Sequence, residues 1–123
     1  MSLYVLDTDT VTLWLRGQPR VCERILARDP AERCTTIVTI EEILSGWHTQ
    51  MRRAKNDEQM ARAYAALQQT LEIGSRIPIL AFDRAAIQRF NELRKWSRRV
   101  GANDLKIAAT GSTGANASAP FFH

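Results

Sequence analysis

The sequence predicts an α/β domain on a central parallel sheet, and three observations carry that prediction. Three short runs rich in apolar and β-branched residues, Leu3–Leu6, Cys34–Thr39 and Ile77–Phe82, have the length and composition of buried strands. Amphipathic segments separate them, and strands alternating with helices argue for parallel pairing through right-handed crossovers. At 123 residues, 45% of them hydrophobic, the chain is long enough for one core and too short for two.

The first run passes without Gly or Pro into Asp7-Thr8-Asp9-Thr10. A strand ending on Asp7 displays that carboxylate at the carboxyl edge of the sheet, where open α/β sheets form their ligand crevices. A carboxylate ending an apolar strand also needs a partner, because an unpaired buried charge is costly. Thr8, Asp9 and Thr10 suit the N-cap of a helix carrying Val11, Trp14 and Leu15, so Asp9 is expected first as a cap. Gly17-Gln18-Pro19 interrupts, and Val21, Cys22, Ile25 and Leu26 mark a second short helix that stops at Asp29-Pro30.

After the second strand, Glu41-Glu42 is expected to open a helix whose apolar stripe is Ile40, Ile43, Leu44, Trp47 and Met51 and whose end is the basic Arg52-Arg53-Ala54-Lys55. Asn56-Asp57 starts another, with Met60, Tyr64, Leu67 and Leu71 as its expected buried face and an end near Gly74. Pro78 is tolerable near the start of the third strand, and Asp83 is placed to cap the next helix. That helix buries Ala86, Phe90, Leu93 and Val100 and turns Arg84, Arg89, Arg94, Lys95, Arg98 and Arg99 outward. Asp104 begins a last helix through Leu105, Ile107, Ala108 and Ala109. Residues 1–110 thus form the domain. Residues 111–123 contain no Lys, Arg, Asp or Glu and no periodicity, and are expected to be a flexible tail.

Composition narrows the function classes. Seventeen Lys and Arg against thirteen Asp and Glu give a net charge of +4, a modest basic excess that suits a polyanionic partner. No apolar run approaches a membrane span and the N-terminus lacks a secretory pattern, so the expected location is the cytoplasm. Cys22 and Cys34 have no metal-ligand spacing, which leaves them as packing residues, and His48 and His123 are isolated. The three Trp residues, Trp14, Trp47 and Trp96, suggest core or interface.

Chemistry is expected where Asp7, Glu42 and Asp104 meet. Two carboxylates about 4 Å apart repel by roughly 4 kcal/mol at an effective dielectric near 20, so a convergent cluster calls for a cation. Mg²⁺ or Mn²⁺ would satisfy oxygen-only ligands, activate a water and bind a phosphate oxygen. Gly46, one turn after Glu42, leaves room for a substrate backbone or a neighbouring strand. Each acid also has a structural explanation: Glu41 and Glu42 suit a first helical turn, and Asp83 and Asp104 suit N-caps.

Three segments, Val5-Leu6-Asp7-Thr8-Asp9-Thr10, Thr39-Ile40-Glu41-Glu42-Ile43-Leu44-Ser45-Gly46 and Ala102-Asn103-Asp104-Leu105-Lys106-Ile107-Ala108-Ala109, occur in an order and at distances that resemble the PIN-domain family, particularly its VapC-type toxins. The resemblance covers residues 1 to 109, including Phe82-Asp83 before a long helix. It implies a doubly wound, three-layer α/β/α fold, a Mg²⁺- or Mn²⁺-dependent endoribonuclease acting on RNA, homodimerisation, and neutralisation by a cognate antitoxin in a type II toxin-antitoxin pair. By motif it makes Asp7, Glu42 and Asp104 metal-binding catalytic carboxylates, with Thr8 and Asp9 in support. Arg52, Arg53, Arg98, Arg99 and Lys106 are candidate RNA contacts. After Thr110 the sequence departs from the family, which continues into further strands and a fourth acidic residue. Two other readings stand beside this one: a catalytically inactive module of the same fold that dimerises or binds an antitoxin, and an acidic-pocket phosphoacceptor domain, which would need a Lys beside the acids.

Overall fold

The structure is a computed structural model, and it describes residues 3–97 and 99–112. Three parallel strands form the sheet in the order β1 (Tyr4–Val5), β2 (Arg33–Thr36) and β3 (Ile79–Leu80). Tyr4 lies opposite Arg33 and Val5 opposite Cys34, while Thr35 and Thr36 pair with Ile79 and Leu80. The strands are shorter than expected, but the pairing runs beyond them: Leu6 N–H donates to the Cys34 carbonyl at 2.8 Å, and Thr35 N–H to that of Pro78 at 3.1 Å. Pro78 contributes only an acceptor, which is the role a proline can fill beside a strand.

Among the described residues six α-helices accompany the sheet: α1 (Thr8–Leu15), α2 (Pro19–Leu26), α3 (Ile37–Arg53), α4 (Asp57–Ile73), α5 (Arg84–Trp96) and α6 (Ala102–Ser112). One apolar cluster joins Leu6, Val11, Val21, Ile25, Ile43, Ile73 and Ile77, with Tyr4, Trp14, Leu15 and Trp47 against it. A second joins Phe90, Leu105 and Ala109, with Phe82 and Leu93 beside them, so α5 and α6 have their own core. This is the α/β architecture the sequence predicts. Among the described residues no strand follows Leu80.

Several boundaries differ, each for a local reason. The run Cys34–Thr39 is not one strand: it ends at Thr36, where the hydroxyl accepts the Thr39 N–H at 3.0 Å and caps α3. Ile37, Val38 and Thr39 favour strands by propensity, but the cap and burial of Val38 and Ile40 override it. Helix α4 turns a different face inward from the one expected. α4 packs on α3, and its buried positions are Ala63, Thr70 and Ile73, whereas Met60, Tyr64 and Leu71 are 38%, 56% and 39% exposed. Helix α5 stops at Trp96, which leaves Trp96 and Val100 exposed. Helix α6 runs to Ser112, two residues past the expected domain end, and the rest of the expected tail lies outside the described residues.

Buried hydroxyls donate to backbone carbonyls. Thr35 donates to the Leu6 carbonyl at 2.7 Å, Thr70 to Ala66 and Thr110 to Lys106 at 2.8 Å each. Cys34 and Cys22 are free thiols, and burial raises the pKa of Cys34 above its usual value.

Both the helix cap and the buried thiol can be tested. Thr36→Ala removes the α3 cap and should lower unfolding free energy by about 1–2 kcal/mol in urea titrations. Iodoacetamide at neutral pH should leave Cys34 unmodified in the native protein and alkylate it once urea unfolds the chain, because the thiol is both shielded and poor in thiolate.

Candidate functional site

Strand β1 delivers Asp7 to the carboxyl edge of the sheet, as expected, but not as a buried charge. Asp7 is exposed and is the N-cap of α1, its Oδ1 accepting the Thr10 N–H at 2.8 Å. Its partner within the chain is a backbone donor, and the burial expected of a strand-end carboxylate is not found. The same geometry moves Asp9 out of the cap position into the first turn of α1, where it is exposed and favoured by the helix dipole.

Glu42 occupies the centre of the arrangement. Because α3 begins at Ile37, Glu42 lies beyond the first turn, and the helix-start explanation for it no longer applies. Its two oxygens have different partners on different helices: Thr8 donates to Oε1 at 2.6 Å, and the Asn103 amide donates to Oε2 at 3.2 Å. Both donors are neutral. Among the described residues no Lys or Arg forms an ion pair with Asp7, Glu42 or Asp104. One carboxylate thus joins the start of α1, the middle of α3 and the start of α6.

Asp104 lies in the first turn of α6, exposed, one residue after Asn103. Asp83 caps α5, its Oδ1 accepting the Ala86 N–H at 3.0 Å, and stands apart from this edge in its role. Asn103 is the residue that sequence reasoning passed over: it stands within a recognisable motif, but only the tertiary structure shows an amide reaching Glu42. Gly46 has nothing within 4 Å of where a Cβ would sit, so no neighbouring strand approaches it. It opens instead onto a groove of about 240 Å³ lined by Thr8, Thr12, Glu42, Ile43, Gly46, Trp47 and Gln50.

The basic candidates are dispersed. Arg52 and Arg53 close α3, exposed, and Arg99 is exposed after α5. Lys106 lies on α6, not at the strand end a phosphoacceptor site would need, with its ammonium 5.8 Å from the Phe82 ring centre and 5.9 Å from that of Phe90. Arg98 lies outside the described residues.

The parallel α/β fold agrees with comparison to known proteins. The PIN-domain family model matches residues 4–114. The chain belongs to the PIN-domain family. Solved structures share the fold: FitAcB from Neisseria gonorrhoeae aligns with a TM-score of 0.68 at 24% identity, over 90% of this chain and 81% of that one. DNA-bound VapBC from Salmonella typhimurium aligns with a TM-score of 0.66 at 22% identity, over 89% and 79%. VapBC2 from Rickettsia felis, bound to a fragment of its promoter DNA, gives 0.63 at 22%, over 90% and 82%. No curated protein sequence matches the chain.

For a PIN domain the question is whether these acids suit a metal. The donor chemistry does: carboxylate oxygens without cationic partners are what Mg²⁺ or Mn²⁺ takes. The present side-chain positions do not yet assemble a site, because among the described residues no three acidic, His or Cys groups come close enough to hold an ion.

The Thr8 to Glu42 hydrogen bond can be measured directly. A double-mutant cycle of Thr8→Val and Glu42→Ala should show a coupling of about 1 kcal/mol, the value of a charge-assisted bond that is partly exposed. A cycle with Asn103→Ala in place of Thr8→Val should give a smaller value, given its longer contact.

Proposed function

We propose that this PIN domain is a toxin-type endoribonuclease that hydrolyses RNA phosphodiester bonds with Mg²⁺ or Mn²⁺ as its cofactor. The observation that carries this reading is the Glu42 carboxylate held between Thr8 and Asn103 on the carboxyl side of the sheet. Asp7, Glu42 and Asp104 would hold the cation, with Thr8 and Asp9 in support. Bound there, it would supply charge stabilisation to a phosphodiester oxygen and lower the pKa of a coordinated water. The chain's own contribution is orientation: Thr8 and Asn103 fix both oxygens of Glu42, and the α1 backbone fixes Asp7.

The structural neighbours support the biological setting. Their names, VapBC and FitAcB, and the DNA bound in two of them describe those proteins. By analogy this chain would work in the cytoplasm beside a cognate antitoxin and as a homodimer. The absence of any membrane-length apolar helix among the described residues accords with that location. Met60, Tyr64 and Leu71 on α4 form an exposed apolar strip of the kind a protein interface covers.

One observation favours a second reading, the inactive interaction module. Asp7 and Glu42 already have partners within the chain, and no three acids are assembled among the described residues.

Metal titration followed by thermal melting separates the two. Mn²⁺ at about 100 times its Kd should stabilise the protein by about 2.7 kcal/mol, or roughly 10 °C in Tm. Asp7→Asn, Glu42→Gln and Asp104→Asn should each reduce that rise and abolish metal-dependent cleavage of single-stranded RNA. A Tm response that is the same in all three variants, with no cleavage by the wild type, would establish the inactive module.

A further inference from the structure

Glu42 is the first member of a row. Glu42, Gly46, Gln50 and Arg53 follow at steps of four, four and three residues, which places them along one face of α3. The groove of about 240 Å³ at Glu42 shares Trp47 and Gln50 as walls with a second, of about 340 Å³, that holds Arg53 and Lys55. The two are neighbours along α3, and the axial distance from Glu42 to Arg53 is about 16 Å at about 1.5 Å per residue.

The character of the surface changes along this path. Beside Glu42 the walls are largely apolar, and the missing side chain at Gly46 keeps the space above them open. Trp47 is half-buried and anchored against the core, so its ring has a fixed place beside the acid. Further on, neither Arg53 nor Lys55 forms an ion pair among the described residues, whereas Arg62, in the same groove, is paired with Glu58 at 3.0 Å.

We infer that a single RNA strand lies along α3, with one base against Trp47 next to Glu42 and its phosphates on Arg53 and Lys55. An apolar slot with an aromatic wall takes an unstacked base, and unpaired cations take the phosphodiester; that sequence of surfaces is how single strands are held. About 16 Å matches four to five stacked nucleotides at about 3.4 Å each. The inference rests on the ribonuclease reading and adds to it where the strand runs. It also selects Arg53 from the dispersed basic candidates and adds Lys55 and Trp47, which sequence reasoning did not assign to RNA.

The test uses the full chain and a fluorescein-labelled 12-nucleotide oligoadenylate in EDTA, so that binding is read without cleavage. The Arg53→Gln/Lys55→Gln variant should bind roughly tenfold more weakly at low salt. Its slope of log K against log salt should be shallower by about 1.4, the loss of two phosphate contacts at about 0.7 each. Trp47→Leu, which keeps an apolar side chain against the core, should also weaken binding roughly tenfold through lost stacking. Arg94→Gln/Lys95→Gln, in the separate groove between α5 and α6, should leave affinity and slope unchanged. If the wild type binds and cleaves RNA but the α3 variants match it, the strand runs elsewhere: the inference is overturned and the ribonuclease reading stands. Loss of binding in the α5–α6 variant instead of the α3 variants overturns the inference in the same way. A wild type that neither binds this RNA nor cleaves RNA with Mn²⁺ overturns both, and would leave the α3 groove to a protein partner.

Discussion

A single carboxylate spans three helices on the carboxyl side of the sheet. Glu42 of α3 receives the Thr8 hydroxyl from α1 and the Asn103 amide from α6, residues 34 and 61 positions away in the chain. For that contact to form, β1 must end at the level where α1 begins, α3 must leave the sheet early enough to place Glu42 beyond its first turn, and α6 must return across the domain. Each requirement is met by a specific local device. Asp7 caps α1, Thr36 caps α3, and Leu105 N–H closes on the Gly101 carbonyl as α6 starts. The placement of the acid is thus a consequence of where helices begin.

Hydroxyl groups do much of this positioning. Thr35 ties β2 to the end of β1 through the Leu6 carbonyl, immediately before Asp7. Thr36 caps α3 and meets the Thr39 hydroxyl at 3.0 Å. Thr8 then links α1 to α3. A buried hydroxyl without a partner costs free energy, so threonines at these positions specify one register of strand and helix as well as filling space. Hydrophobic packing alone would tolerate small slips that these bonds do not.

Helix α3 serves the core and the surface at once. Val38, Ile40 and Ile43 are buried, Trp47 bridges core and groove, and Glu42, Gly46, Gln50 and Arg53 face outward along one row. The cations Arg52 and Arg53 in its last turn suit the helix dipole. Gln50 and Arg53 are exposed and can change without touching the buried side of the helix.

The alternation of strands and helices, the parallel sheet, and most buried positions of α1, α2 and α3 were legible in the sequence, because hydrophobic periodicity is a local property of the chain. The three acids were legible as motifs, and Asp83 as a cap, because capping depends on residues three positions apart. Other features had no local signature. Ile37, Val38 and Thr39 carry strand propensity, and only the Thr36 cap together with burial made them helical. On α4 the larger side chains looked like the buried face, but Ala63, Thr70 and Ile73 are the buried positions. Asp7 looked like a buried charge; its cap on the Thr10 N–H is local, but several neighbouring residues suited the cap equally and only the fold shows which one starts α1. The partnership of Asn103 with Glu42 joins residues 61 apart, and no sequence period reports a contact at that separation. Local chemistry determined the elements and the chain's acids; the tertiary structure decided which of their atoms meet, because those contacts depend on helix starts and packing distances that no single segment contains.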